Sequence, residues 1–436
     1  MKMRIRKHSQ AEWLIMYVFV LPFFVAFLTD ILMFPPAIKY TIDLVLVLLV
    51  FIMYMNRRSI ENPQVARIMW VAVLFIIATI VGLVLNFQSI IYYLWGLRNN
   101  IRFFLFFLLC TMIVKRDSAE RCIQLMDSLF YINVAVALYQ CFVLDLQQDH
   151  IGGIFGRTKG CDAYSNMYLI IISALHMLRY MNKKESLFKC ITRCGLSLFL
   201  AAIAEIKIFF VEFVVITLIA MLMTRFSARK FWLAICAVFG MMIGLRIFAA
   251  MFPNFADFFD LNNMVESASS DRGYTQSGDL NRLTAITISW SRFLNTWPQK
   301  LFGLGLGNCD YSSNFDFLVT PFYSRYKNLN YVWFMSSFLI LETGLIGLSL
   351  YLFFFIRVYR AVKKVEKSGT QNPIYCQLAR IMALMTPLLV IYNVALRGEC
   401  AYMFYFVLAL PFIQQPSADR GQTLQVALEN QNGGSQ

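Results

Sequence analysis

Charge is scarce in this sequence: Asp, Glu, Lys and Arg make up 15% of its residues, and acids are outnumbered 25 to 39 by bases. A chain this apolar, with a mean hydropathy of +0.61, cannot cover a globule with polar surface. A soluble domain is excluded, and an integral membrane protein is the starting class. Histidine occurs 3 times, and none of the 10 cysteines forms a C-x-x-C pair or lies near a histidine. Neither a zinc site nor a disulfide framework is signalled, and no metal or cofactor is expected. Cys161 and Cys309 both fall in outward segments, where a bridge is permitted but not required. There is no small-residue cleavage site after the first apolar run, which reads as a retained span rather than a signal. There is no internal repeat either.

Long apolar runs are what the chain has in abundance. They cover about 13–33, 37–55, 68–87, 101–114, 122–145, 163–181, 191–206, 208–225, 231–250, 331–357, 378–396 and 399–413; most are near the ~20 residues that cross a bilayer, and some are shorter. The fold expected is an all-α polytopic membrane protein of about twelve transmembrane helices. With Lys2, Arg4, Arg6 and Lys7 in the cytoplasm, twelve crossings return the dense basic loops at Arg57 and Arg58, Lys115 and Arg116, Lys183 and Lys184, Arg229 and Lys230, and Lys363 and Lys364 to that side. The net charge of +14 is therefore topology, not a nucleic-acid surface. Both termini are then cytoplasmic, and the Gln/Asn/Gly-rich end after Pro416 reads as a disordered tail. The chain divides into helices 1–9 (residues 1–250), a large outer loop (251–330), helices 10–12 (331–413) and the tail (414–436).

Residues 252–330 are too polar and too long to connect buried helices, and are expected to form an outer cap. Within them, Asp279 suits an N-cap and Pro298 a stop. At ~100° per residue Ile286, Trp290, Phe293, Leu294 and Trp297 share one face, with Arg282, Ala285, Ser289 and Arg292 on the neighbouring one. This predicts an amphipathic helix at headgroup level. Gly303, Gly305 and Gly307 follow; their N–H groups could cradle phosphate, but with no preceding strand they read better as a tight turn back to the membrane.

The informative residues are cations on the outer side: Arg98, Arg102, Arg157, Lys159, Lys207, Arg272, Arg282, Arg292, Arg325 and Arg397. Positive charge held there opposes the topology rule, so a set of them implies a shared anionic ligand. Arginine's planar fork chelates phosphate oxygens and stays ionised, which makes the ligand a phosphate or pyrophosphate at the outer leaflet. Singly, an outer-loop Arg is ordinarily a solvated surface group, the preferred reading for Arg98, Arg325 and Arg397. Arg157, Lys207 and Arg282 each adjoin a short motif at the membrane edge and carry the functional reading. Glu212 and Glu342 lie in apolar runs, where a carboxyl must be paired, protonated or functional; for Glu342, pairing with an outer Arg stays equally open. Glu205 is a partner for Lys207, and His176 reads as a helix-packing residue.

These motifs, taken in order, resemble the O-antigen ligase and repeat-unit polymerase (Wzy-type) superfamily of bacterial membrane glycosyltransferases. The resemblance rests on W-G-L-R-N-N-I-R-F at 95–103, F-G-R-T-K-G at 155–160, A-E-I-K at 204–207, G-D-L-N-R at 278–282, F-G-L-G-L-G-N at 302–308 and L-E-T-G-L-I-G-L at 341–348. It implies a GT-C-like inner-membrane enzyme without a metal, whose donor is a polyprenyl-pyrophosphate-linked oligosaccharide and whose transfer occurs at the outer face. Arg157, Lys207 and Arg282 would be the catalytic cations. Arg98, Arg102, Lys159, Arg272, Arg292 and Glu342 would bind substrate. The implied partners are the lipid-linked oligosaccharide, the bilayer, and a flippase and chain-length regulator of the same pathway. Ligases of this group carry a histidine shortly before the L-E-x-G span, whereas residues 328–335 here contain none. This favours a polymerase over a ligase. A lipid-linked glycan flippase is the rival from another class, but paired halves and broken helices, which mark transporters, are not visible. Asp310, Asp316 and Glu342 are the candidate bases.

Overall fold

The computed structural model describes residues 10–57, 60–224, 227–251 and 279–413. Among these there is no strand. The helices are α1 (Gln10–Val20), α2 (Val25–Asp30), α3 (Thr41–Met55), α4 (Pro63–Leu85), α5 (Ile90–Ile113), α6 (Arg116–Phe142), α7 (Asp162–Met181), α8 (Leu187–Ile203), α9 (Lys207–Met223) and α10 (Ala228–Met251). Three short helices, α11 (Ala285–Phe293), α12 (Trp297–Phe302) and α13 (Pro321–Tyr326), precede α14 (Met335–Lys367), α15 (Pro373–Tyr392) and α16 (Ala401–Ala409). Seven described helices are long and apolar enough to cross a membrane: α3 to α6, α10, α14 and α15. The protein is thus an all-α membrane protein.

Burial sorts the helices. The run from Ser165 to Leu178 in α7 and all of α16 are buried on every side, as expected of helices at a bundle centre. In α3, α4 and α10 the apolar residues Leu44, Tyr54, Trp70, Ile77, Phe231 and Val238 are instead exposed, the composition of surfaces that face lipid. The first apolar run does not form one helix. Pro22 sits in a 3-10 turn between α1 and α2, where its missing N–H fits a helix start but not a helix interior. The fourth run is longer than expected, because α5 starts at Ile90 and carries Trp95 to Arg102 in helical form.

The amphipathic helix expected over 279–298 is cut in two. Its first part, α11, starts at Thr284 rather than Asp279, and its buried residues are Ala285 and Ser289, not the tryptophan face. Trp297 is 73% exposed. Pro298 starts α12 instead of ending α11: Thr296 accepts from the Gln299 N–H, and the Gln299 side chain reaches back to the cap backbone. This reciprocal capping outcompetes continuation of the preceding helix.

The returning loop after α12 lies backbone to backbone against the bundle. A Cβ at Gly307 would lie 2.0 Å from the Tyr92 carbonyl, and one at Gly96 2.4 Å from the Gly307 nitrogen. Opposite them α14 is broken at Gly344, with φ 62° and ψ −165°. The break releases two carbonyls. Leu341 accepts from the Leu304 N–H at 2.7 Å and Glu342 from that of Gly305 at 3.2 Å. These loop amides are therefore consumed by helix carbonyls rather than presented to a phosphate, and the glycines serve close approach. Gly344→Ala should lower stability by more than the ~1–3 kcal/mol of its backbone strain alone, since its Cβ would sit 2.5 Å from the Leu301 carbonyl. Gly195→Ala, with nothing within 4 Å, should be neutral or mildly stabilising. Thermal unfolding of both variants in detergent checks this contrast.

Candidate functional site

The segments that the charge rule assigns to the outer side converge at one end of the bundle. There the 3-10 turn Pro36–Tyr40 before α3, the first half of α5, the returning loop and the turn between α15 and α16 surround an open cavity of about 210 Å³, lined by Arg98, Arg102, Arg397, Asp310, Glu399 and Trp95, among others. Its centre is Arg397, 9% exposed. Its Nη2 is 2.6 Å from Asp310 Oδ2 and 3.5 Å from Glu342 Oε2, and the guanidinium carbon lies 3.8 Å from the Phe338 ring centroid. Burial alone would lower the Arg397 pKa; Asp310 and Glu342 outweigh it and raise it. Asn99 donates to the same Asp310 oxygen at 2.8 Å, and the Tyr311 N–H to the other at 2.8 Å. Arg102 donates to the Arg397 carbonyl at 3.0 Å.

Arg98 is pinned from both sides. Its Nε and Nη2 donate to Asp43 at 2.9 and 2.6 Å, and its guanidinium lies against the rings of Tyr40 (4.9 Å) and Trp95 (4.8 Å), which themselves pack together. Arg102 is 6% exposed, with Nη1 3.8 Å from Glu399 and 3.9 Å from Asp43. Arg98 and Arg397 are therefore not solvated surface groups: the carboxylates beside them come from helices and turns far away in the chain. Arg325 is exposed. Glu342 takes the role of a partner to an outer Arg, one of the two readings left open for it.

The other predicted residues lie outside this lining. Arg282 donates to the Tyr392 carbonyl at 3.3 Å, with its guanidinium 4.1 Å from that residue's ring and 5.8 Å from the Phe334 ring. Lys159 faces Trp333 at 5.1 Å. Val332, Tyr164 and Val394 line the cavity, but Lys159 and Arg282 do not. Lys207 pairs with Glu205 at 2.8 Å. Arg292 is exposed beside Phe293. Arg157 borders a separate groove of about 510 Å³, apolar and lined by Phe23, Phe27, Ile132 and Tyr139; His150 donates to its carbonyl at 3.0 Å. Arg272 lies outside the described residues. Arg157, Lys207 and Arg282 thus do not share the cavity that Arg102 and Arg397 form.

Cys161 and Cys309 are buried free thiols. His176 lies at the opposite end, bonded to Asp127 (3.0 Å) and Glu185 (2.8 Å), as a packing residue would be. Among the described residues no group of three or more His, Cys, Asp or Glu is placed to hold a metal ion. Sequence reasoning missed Asp43, Glu399 and the central place of Arg397. The available signal was the near-equal number of carboxylates and cations in the outward segments. No protein-family model matches this chain, and no curated protein matches it.

Two outcomes follow from these contacts. Arg397→Ala leaves Asp310 and Glu342 buried without their cation and should cost ~3–5 kcal/mol. Adding Asp310→Asn and Glu342→Gln should recover part of the loss, as read by thermal unfolding. Near Arg282, burial pushes the Asp162 carboxyl up to about 7; Asp149 adds to the rise, while the Ala163 N–H and Arg282 oppose it. The folded protein holds this proton more tightly than the unfolded chain, whose value is 3.8. Stability from this group is therefore greatest in acid, falls as pH rises toward about 7 and levels off above. Asp162→Asn should remove that slope, so that its advantage in melting temperature over wild type grows from pH ~5 to pH ~7 and stays constant beyond.

Proposed function

We propose that this chain is a glycosyltransferase of the bacterial inner membrane, a polymerase that joins lipid-linked oligosaccharide repeat units at the outer face. On this reading the twelve apolar runs cross the bilayer in a GT-C-like arrangement, with both termini in the cytoplasm. The donor is a glycan on polyprenyl pyrophosphate. A growing chain leaves its carrier and passes, with inversion at the anomeric carbon, to a hydroxyl of a new lipid-linked unit.

The observation that carries the reading is the concentration of cations, carboxylates and aromatic rings around one cavity at one end of the bundle. Ionised groups are expensive in such a setting, and each type has a task in transfer from a diphosphate. Cations stabilise the charge that the leaving diphosphate gains. Rings and fixed hydrogen-bonding groups hold a sugar in place, and a carboxylate takes the acceptor's proton. On this reading the diphosphate lies outside that cavity, at Arg157, Lys207 and Arg282, with Lys159, Arg272 and Arg292 in support. The apolar groove beside Arg157 suits an isoprenoid chain whose head reaches that cation. The absence of histidine from residues 328–335 supports polymerisation over ligation.

The test is a reaction in nanodiscs with a defined lipid-linked repeat unit. Wild type should give a ladder of chain lengths, and Arg282→Ala at the same protein level should leave the donor unextended. Full-length polymer from Arg282→Ala would remove that residue from the site; no extension by wild type would end the proposal.

A further inference from the structure

We infer that the cavity beneath Arg397 takes an uncharged sugar ring, the acceptor, rather than the diphosphate, and that Glu399 receives the proton of the attacking hydroxyl. This rests on the transfer reaction proposed above and assigns its two substrates to different places.

Charge balance is the first ground. Lys39, Arg98, Arg102 and Arg397 are met by Asp43, Asp310, Glu342 and Glu399 in and around the cavity. An added diphosphate would face these carboxylates at close range, where like charges repel strongly in a partly desolvated site. A neutral polyol meets no such barrier.

The second ground is what remains unbonded. Arg102 Nε and Nη1 and Trp95 Nε1 are buried donors without a hydrogen-bond partner, and the acceptor that lines the cavity beside them is Glu399, whose Oε1 lies 3.8 Å from Arg102 Nη1. Such groups are costly unless something fills them. Donors and acceptors side by side match hydroxyls, which do both; a diphosphate only accepts. The volume, about 210 Å³, is below the ~300–1,000 Å³ of pockets for drug-sized ligands and suits a single ring.

Glu399 is the carboxylate with lone pairs to spare. Both Asp310 oxygens already accept hydrogen bonds, from Asn99, Arg397 and the Tyr311 N–H. Glu399 Oε1 has Arg102 only at 3.8 Å, and Oε2 accepts a long 3.4 Å bond from the Tyr164 hydroxyl. The nearby guanidinium favours its ionised form. In the step, the acceptor oxygen bonds to the anomeric carbon while the bond from that carbon to the diphosphate oxygen breaks. The electron pair leaves with the diphosphate, and the hydroxyl proton passes to Glu399.

Trp95 makes the cavity observable. The full chain in nanodiscs is titrated with methyl glycosides of glucose, galactose and N-acetylglucosamine and, separately, with inorganic pyrophosphate, following tryptophan emission. At least one glycoside should change the emission of wild type and of Glu399→Gln, the change should vanish in Trp95→Phe, and pyrophosphate should leave the Trp95 signal unmoved. With the lipid-linked repeat unit, Glu399→Gln should lose turnover by about 10²–10⁴-fold while glycoside binding is retained. Glu399→Asp, which keeps the carboxylate but draws it back, should lie between. A Trp95 signal from pyrophosphate alone, no signal from any glycoside, or undiminished turnover in Glu399→Gln would overturn the assignment. Transfer without glycoside binding would sink this inference and spare the function; glycoside binding without transfer would do the reverse.

Discussion

Arg397 joins three pieces of chain that are far apart in sequence. Its side chain rises from the turn between α15 and α16, pairs with Asp310 of the returning loop and Glu342 of α14, and covers the ring of Phe338. None of these groups is stable alone at such burial: a guanidinium or carboxylate withdrawn from water costs several kcal/mol unless its partner arrives with it. The outer layer therefore forms as a unit. Once it has formed, the Arg397 carbonyl is placed to receive Arg102, which in turn orders the Glu399 side of the cavity.

The opposite end of the bundle is tied in the same way by different residues. Asp127 of α6 receives His176 and Arg179 from α7 and Arg193 from α8, while Glu12 of α1 accepts from the Lys115 N–H and the Ser118 hydroxyl at the start of α6. A carboxylate at a helix N-terminus also suits the helix dipole. Elsewhere the buried residues are mostly apolar, with Glu212, Asn133 and Asn166 among the exceptions. The chain thus concentrates many of its few charges near the two ends of the bundle, where an ionised group is cheaper than amid hydrocarbon.

Most of the helices were legible because apolar runs report burial in lipid and protein alike. The runs at 37–55, 68–87 and 231–250 became α3, α4 and α10 with modest shifts. The failures have physical causes. Residues 90–101 looked like a loop because their polar groups were counted as needing water, whereas Arg98 and Asn99 find Asp43 and Asp310 instead. The 279–298 helix was extended past its end because a local cap at Thr296 is invisible to periodicity. Of the site, the sequence marked the outward cations and Glu342 but not which carboxylate each would meet. Asp43 and Glu399 lie hundreds of residues apart, and only the folded bundle brings both to Arg102.

The break at Gly344 has a mechanical side. From there to Lys367, α14 is about 36 Å long at ~1.5 Å per residue, enough by itself to cross the ~30 Å of hydrocarbon. The preceding two and a half turns, Met335 to Thr343, are buried all round, and their last carbonyls bond sideways to the loop rather than lengthwise to the shaft. Two rods meeting at a joint do not pass torsion or tilt from one to the other as a single rod does. The shaft can follow the thickness of the surrounding bilayer while Glu342, on the far side of the joint, keeps its register with Arg397.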